Sequence, residues 1–217
     1  MEYERRARAC QRRLREVGAD GLVAFPSPNL RYLTGFDESP SERLFVLLVG
    51  SEGDPTLVAP AMYDAQLRDV WVADVRTYDD GDDPTDLLAS AAADREIADG
   101  RLLLDDTLWA RFVLDVQAVL PAATFGLASE ALGPLRARKD EDELAALREA
   151  AAVADEVSVT LRDRGASVVG TTERELAEEI EGLLDAAGGE GLAFDVCVAG
   201  GPNGARPPHH PGDRTIE

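Results

Sequence analysis

Gly200-Gly201-Pro202-Asn203-Gly204-Ala205-Arg206-Pro207-Pro208-His209-His210-Pro211-Gly212-Asp213-Arg214 holds both histidines of a 217-residue chain. Glycine and proline crowd this stretch, so it reads as a loop built from turns rather than as a helix or strand. Imidazole is the side chain that exchanges a proton near neutral pH. A loop that gathers all of it is the first place to look for chemistry. Just before the loop, Leu192-Ala193-Phe194-Asp195-Val196-Cys197-Val198 reads as a strand.

Upstream of that strand lie two helices with clear starts. Thr172 and Glu175 form a capping signal for a helix through Leu176, Ile180 and Leu183-Leu184, closed by Gly188-Gly189. Asp140 and Glu143 give the same signal for a longer helix that ends near Arg164, just before Gly165. Its Leu144, Leu147, Ala151, Ala154, Val157 and Leu161 recur at amphipathic spacing. Before about Arg136 the character changes. A first helix is expected over Tyr3 to Val17, and strands over Gly21–Phe25, Leu44–Val49, Thr56–Ala59, Trp71–Val75, Leu102–Leu104 and Thr124–Leu127. Turn formers from Gly50 to Pro55 make a hairpin of the second and third strands. Helices are expected around Thr85–Ala93 and Leu108–Val119. Strands alternating with helices, plus one hairpin, predict an α/β domain with a mixed sheet flanked by helices.

Composition narrows the classes of function. Forty-two acidic against 22 basic residues give a net charge of -20, and Lys139 is the only lysine. Such a surface repels phosphate, so nucleic acid and anionic membranes are not expected partners. A lysine-poor acidic surface also suits a halophilic setting, in which salt screens self-repulsion. Cys10 and Cys197 are far apart and follow no paired pattern, which fits a reduced, cytoplasmic protein. The charged start Met1-Glu2-Tyr3-Glu4-Arg5-Arg6 leads into no apolar signal core, and the run Leu44–Val49 is too short to span a bilayer. Asp79 to Asp83 reads as a solvated acidic loop rather than a metal site.

Three segments, in order, carry a family resemblance. Asn29-Leu30-Arg31-Tyr32-Leu33-Thr34-Gly35-Phe36, taken locally, is a turn-forming stretch with two aromatic anchors. It resembles the N-x-R-Y-L-T-G-F signature of creatinase-type N-terminal domains. Leu135 to Ala150, with Lys139, Glu143, Leu147 and Ala150 at the spacing of R-x-x-K-s-x-x-E-i-x-x-l-r-x-A, is similar to the linker and first helix of the catalytic domain. Phe194 to Arg214 is similar to the G-x-N-x-a-x-P-H segment. Together they resemble the aminopeptidase P / prolidase / creatinase family of pita-bread metallopeptidases.

The resemblance implies a creatinase-like N-terminal domain over 1–135 and the opening, incomplete part of an α+β pita-bread domain over 136–217. It implies hydrolysis of the peptide bond before proline, with proline-containing peptides as substrates. It also implies two divalent ions, manganese or cobalt, and a homodimer built partly by the first domain. The family's histidine lies over the metals and contacts substrate and tetrahedral intermediate, which makes His209 the catalytic candidate, with Asn203 and His210 beside the substrate. Counted from Asn203 without a gap, that position holds Pro208 and His209 falls one place late. Either the loop carries one extra residue or the role is lost. The family's metal ligands, two Asp, one His and two Glu, lie further along than Glu217, so the chain is expected to be inactive alone. Two other readings stay open: a non-catalytic binding or dimerisation module derived from the family, and a creatinase-like hydrolase that needs no metal.

Overall fold

A computed structural model describes residues 2–206 and 208–217. The chain divides into two compact units, Met1–Arg138 and Lys139–Glu217. In the first, apolar runs become central strands because they are buried on both faces. Strands β1 (Gly21–Ala24), β2 (Val46–Gly50) and β3 (Thr56–Pro60) are buried at every position. They are joined by β4 (Asp74–Tyr78), β5 (Arg101–Leu104) and β6 (Thr124–Leu127) in one sheet of order β4-β3-β2-β1-β5-β6. The Gly50–Pro55 turn makes β2 and β3 an antiparallel hairpin in the register Val46↔Val58. The pairs β1–β5, β5–β6 and β3–β4 are parallel, so the sheet is mixed.

Alternation along the strands fills two cores. Leu22 and Ala24 face α1 (Glu2–Val17), α2 (Pro28–Thr34) and α6 (Ser129–Ala137), with Cys10, Leu14, Leu30, Leu33 and Leu132 packed between. Val23 and Phe25 face α4 (Pro84–Asp94) and α5 (Ala110–Val119), against Leu88, Ala92, Phe112 and Val116. Phe25 and Phe112 meet with ring centroids 5.5 Å apart. A 3₁₀ turn at Ala61–Tyr63 runs into the short α3 (Asp64–Leu67) between β3 and β4.

The Asn29–Phe36 motif is a helix and its cap, not a turn. Ser27 accepts from Asn29 N at 3.0 Å, Pro28 occupies the first turn, and Gly35 closes the helix in the left-handed region at φ 79°. A β-carbon at Gly35 would stand 2.5 Å from the Tyr3 ring. Phe36 packs edge-on to Phe45 with centroids 5.4 Å apart, as an aromatic anchor should. Asn29 belongs to a buried polar knot at the carboxyl ends of β1 and β5. Asp105, 3% exposed, accepts through Oδ2 from Ser27 Oγ at 2.7 Å and Asn29 Nδ2 at 3.1 Å. Through Oδ1 it accepts from Thr107 N and Oγ1. Arg136 Nη1 closes the knot on Asn29 Oδ1 at 2.7 Å.

Three further elements differ from the sequence reading. Strand β4 starts at Asp74, three residues later than Trp71. Trp71 donates its Nε1–H to Leu33 O at 2.9 Å and Val72 is buried, so these apolar residues pack from a loop. Helix α6 forms although Gly133 and Pro134 lie inside it, and Ala131 and Leu132 are buried in return. Residues 192–198 form no strand. A strand needs a neighbour to pair its backbone groups, and among the described residues of the second unit the only bridge is Thr172↔Thr215.

The second unit is built on α7 (Glu141–Arg164) and α8 (Glu173–Ala186). Both start with full capping boxes, Asp140 with Glu143 and Thr172 with Glu175. They pack on each other, and an Arg164–Glu179 ion pair joins them. The apolar spacing along α7 is as expected, yet among its described residues only Val157 is buried, and Leu147 is 53% exposed. Among the described residues no helix is long and apolar enough to cross a membrane.

Replacing Asp105 by Ala should lower the stability of the first unit by about 3 kcal/mol, because several buried donors lose their acceptor. Gly35→Ala should also destabilise, by about 1–3 kcal/mol, since it adds strain and meets the Tyr3 ring. Urea midpoints measure both. Midpoints within error of the parent would contradict the knot and the close approach as described.

Candidate active-site loop

Helix α8 begins at a residue whose side chain the surface never reaches. Glu173, the first helical residue after the Thr172 cap, is 0% exposed. A carboxylate there complements the helix dipole, but burial demands partners for both oxygens. The histidine loop supplies them. Gly200 N donates to Oε1 at 2.7 Å and Asn203 Nδ2 at 2.9 Å. His209 Nε2 lies 2.7 Å from Oε2, and Gly212 N donates to the same oxygen at 3.2 Å. Residues 12 apart in the loop thus converge on one side chain.

The rest of the segment is tied to the same helix start. Glu173 N donates to Arg214 O and Arg174 N to Gly212 O, each at 3.0 Å. Gly170 N donates to Ile216 O, and Ile216 N to Thr171 O, each at 2.9 Å. A 3₁₀ turn at Gly201–Ala205 starts from Gly201, at φ 50°, where a β-carbon would lie 3.0 Å from Arg214 Nη2. Cys197 is exposed and sits 3.4 Å through Sγ from the carbonyl of His209.

Of the residues picked out in the sequence, Asn203 and His209 meet on Glu173. His210 and Pro208 are exposed. Glu173 itself was missed. An acidic residue in a first helical turn is common, and what sets this one apart is burial by residues 27 to 39 positions later. The Asp79–Asp83 segment is occupied with local structure: Asp82 accepts from Asp79 N, and Asp83 caps α4 through Thr85 N.

The electrostatics follow from the donors. The Gly200 amide, with Asn203, His209 and Gly212 adding to it, holds the Glu173 carboxyl down to about 2 from its ordinary 4.5, against the opposing effect of desolvation. The residues gathered here do not fit a metal ion. Both oxygens of Glu173 are met by N–H groups, which would face any cation placed there. Among the described residues, no group of three or more carboxylate, imidazole or thiol ligands forms within the second unit.

A six-stranded α/β unit, two capped helices and a Pro/Gly-rich histidine loop give the chain the architecture of the pita-bread proteins. Two family profiles match in the same order. "Creatinase/Prolidase N-terminal domain" covers residues 6–138 and "Metallopeptidase family M24" covers residues 145–217; the first spans more than half of the chain, which therefore belongs to the creatinase/prolidase family. It is similar to the probable dipeptidase PepE of Mycobacterium tuberculosis (strain ATCC 25618 / H37Rv), with 34% identity over 221 residues, 99% of this chain and 56% of that protein. The putative dipeptidase YkvY of Bacillus subtilis (strain 168) is 31% identical over 209 residues, 94% of this chain and 56% of that one. Among solved structures, a prolidase from Thermococcus sibiricus superposes with a TM-score of 0.91 at 33% identity, covering 100% of this chain and 59% of that one. Dipeptidase PepE from Mycobacterium ulcerans gives 0.89 at 34% identity, covering 100% and 57%. The chain therefore spans a little over half the length of these relatives.

Because the Glu173 pKa is lowered on folding, its ionised form stabilises the loop fully above its ordinary 4.5, and this support is lost as pH falls toward about 2. The Gly200 amide proton, which touches the carboxylate, should titrate in an NMR series with a midpoint near 2. A midpoint at the ordinary carboxylate value would contradict the geometry.

Proposed function

We propose that this chain contributes the N-terminal domain and the histidine loop of a peptidase of prolidase type, which hydrolyses the bond before proline in short peptides. The observation that carries the reading is the ordered match to both family profiles together with the convergence of Asn203 and His209 on Glu173. The relatives' names, dipeptidase and prolidase, support the substrate class. Two divalent ions, manganese or cobalt, would supply the hydroxide nucleophile and polarise the scissile carbonyl. This chain's own part is to hold Asn203 and the imidazole in fixed places on a buried carboxylate, with His210 on the exposed side of the same loop. The working form would be a cytoplasmic homodimer, with residues 1–135 as the N-terminal domain and 136 onward as the catalytic domain.

Residues 1–217 alone should not hydrolyse Xaa-Pro dipeptides at any added manganese or cobalt concentration. The one acid that comes together here with the imidazole has both oxygens taken by N–H groups and by the imidazole, which leaves no open ligand set. Turnover by the purified chain that a chelator abolishes would overturn this. The alternative, a binding or dimerisation module, draws on the complete double core of the first unit. It would be favoured by tight binding of a proline peptide or a stable dimer without any turnover when the chain is supplied with the remainder of a relative's catalytic domain.

A salt-adapted surface also belongs to this reading. At a net charge of -20, repulsion acts across much of the surface. Its range shrinks from about 10 Å in 0.1 M salt to about 3 Å in 1 M. The thermal midpoint should climb steeply up to molar KCl. A midpoint flat over that range would leave only a compositional bias.

A further inference from the structure

We propose that Glu173 is the positioning residue of the histidine loop, and that it fixes His209 as the tautomer with its proton on Nε2, leaving Nδ1 as the one basic ring nitrogen. The proposal rests on the peptidase reading of the loop and deepens it by assigning the ring atom that faces the chemistry. An ionised carboxylate only accepts hydrogen bonds, so the 2.7 Å contact between Glu173 Oε2 and His209 Nε2 requires the proton on Nε2. A neutral imidazole carries one such proton, and Nδ1 is then bare.

The carboxylate cannot turn to release it. Gly200 N and Asn203 Nδ2 hold Oε1, and Gly212 N shares Oε2 with the imidazole. Glu173 is fully buried and the His209 side chain is 16% exposed, so water competes little for this contact. The backbone of His209 is held as well, because its carbonyl accepts from Cys197 Sγ. His210, next in the chain, is exposed, and no hydrogen bond fixes its ring among the described contacts. The two histidines of the loop are therefore unequal. One has its tautomer set by a buried acid, and the other is free to exchange tautomers. This bears on the register question raised by Pro208: an imidazole at 209 that spends Nε2 on Glu173 can take or give a proton only through Nδ1.

The test is a long-range proton–nitrogen NMR spectrum of the ¹⁵N-labelled chain, recorded about two pH units above the ordinary imidazole value of about 6.5. A His210→Asn variant assigns the signals, since it leaves His209 as the only histidine. The expected result is a single Nε2–H tautomer for His209 beside a tautomer mixture for His210. In Glu173→Gln the His209 pattern should collapse to a mixture, and amide exchange at Gly200 and Gly212 should quicken roughly tenfold, the scale of one lost charge-assisted hydrogen bond. An Nδ1–H tautomer at His209, or the same mixture at both histidines, overturns the proposal, as does an unchanged His209 pattern in Glu173→Gln. Should that variant fail to fold, the His210→Asn spectrum decides alone. Turnover does not enter the measurement, so the peptidase reading and this assignment fail separately.

Discussion

Burying strand β1 on both faces leaves its backbone groups no recourse to water, so each must be paired by β2 on one side and β5 on the other. That requirement arranges the first unit. The antiparallel partner arrives through the β2–β3 hairpin, and the parallel partner can arrive only after a crossover, which places helices on the sheet faces. Alternate side chains of the same four residues then seed two separate cores, Leu22 and Ala24 below one set of helices and Val23 below the other. The loops that carry polar residues leave from the ends of these strands, where Asp105 waits at the close of β5.

Each unit is locked by one buried acid, and the two acids work alike. Asp105 gathers Ser27, Asn29 and Thr107, and Glu173 gathers Gly200, Asn203, His209 and Gly212. In both places the acid stands at the edge of a regular element and gathers partners from loops and from the first turns of short helical segments. A buried carboxylate with every lone pair engaged gives a loop one arrangement where glycine and proline alone would permit many. The cost is borne by desolvation, which in Glu173 the hydrogen bonds outweigh.

Features set by neighbours in sequence were legible in the sequence. The capping boxes at Asp140 and Thr172, the hairpin turn and the all-apolar central strands depend on residues a few positions apart. Features set by distant contacts were not. Trp71 and Val72 look like strand because they are apolar, yet their partners are Leu33 and the first core. Helix α6 hides behind Gly133-Pro134, whose local penalty is offset by the burial of Ala131 and Leu132. The stretch 192–198 has strand composition without a strand beside it. In the candidate site, the histidines stood out by chemistry and Asn203 by the family resemblance, whereas Glu173 is one acid among 42 until the fold buries it.

The two cysteines divide cleanly between these environments. Cys10, on the buried face of α1, is at 0% exposure, and burial pushes its thiol up to about 12, so its nucleophilic thiolate does not form near neutral pH. Cys197 is exposed and leans on the carbonyl of His209. A thiol-directed dye or spin label added to the native protein would therefore attach at one place without any engineering. That place is beside the histidine loop, which makes the unaltered chain its own reporter of that loop's surroundings.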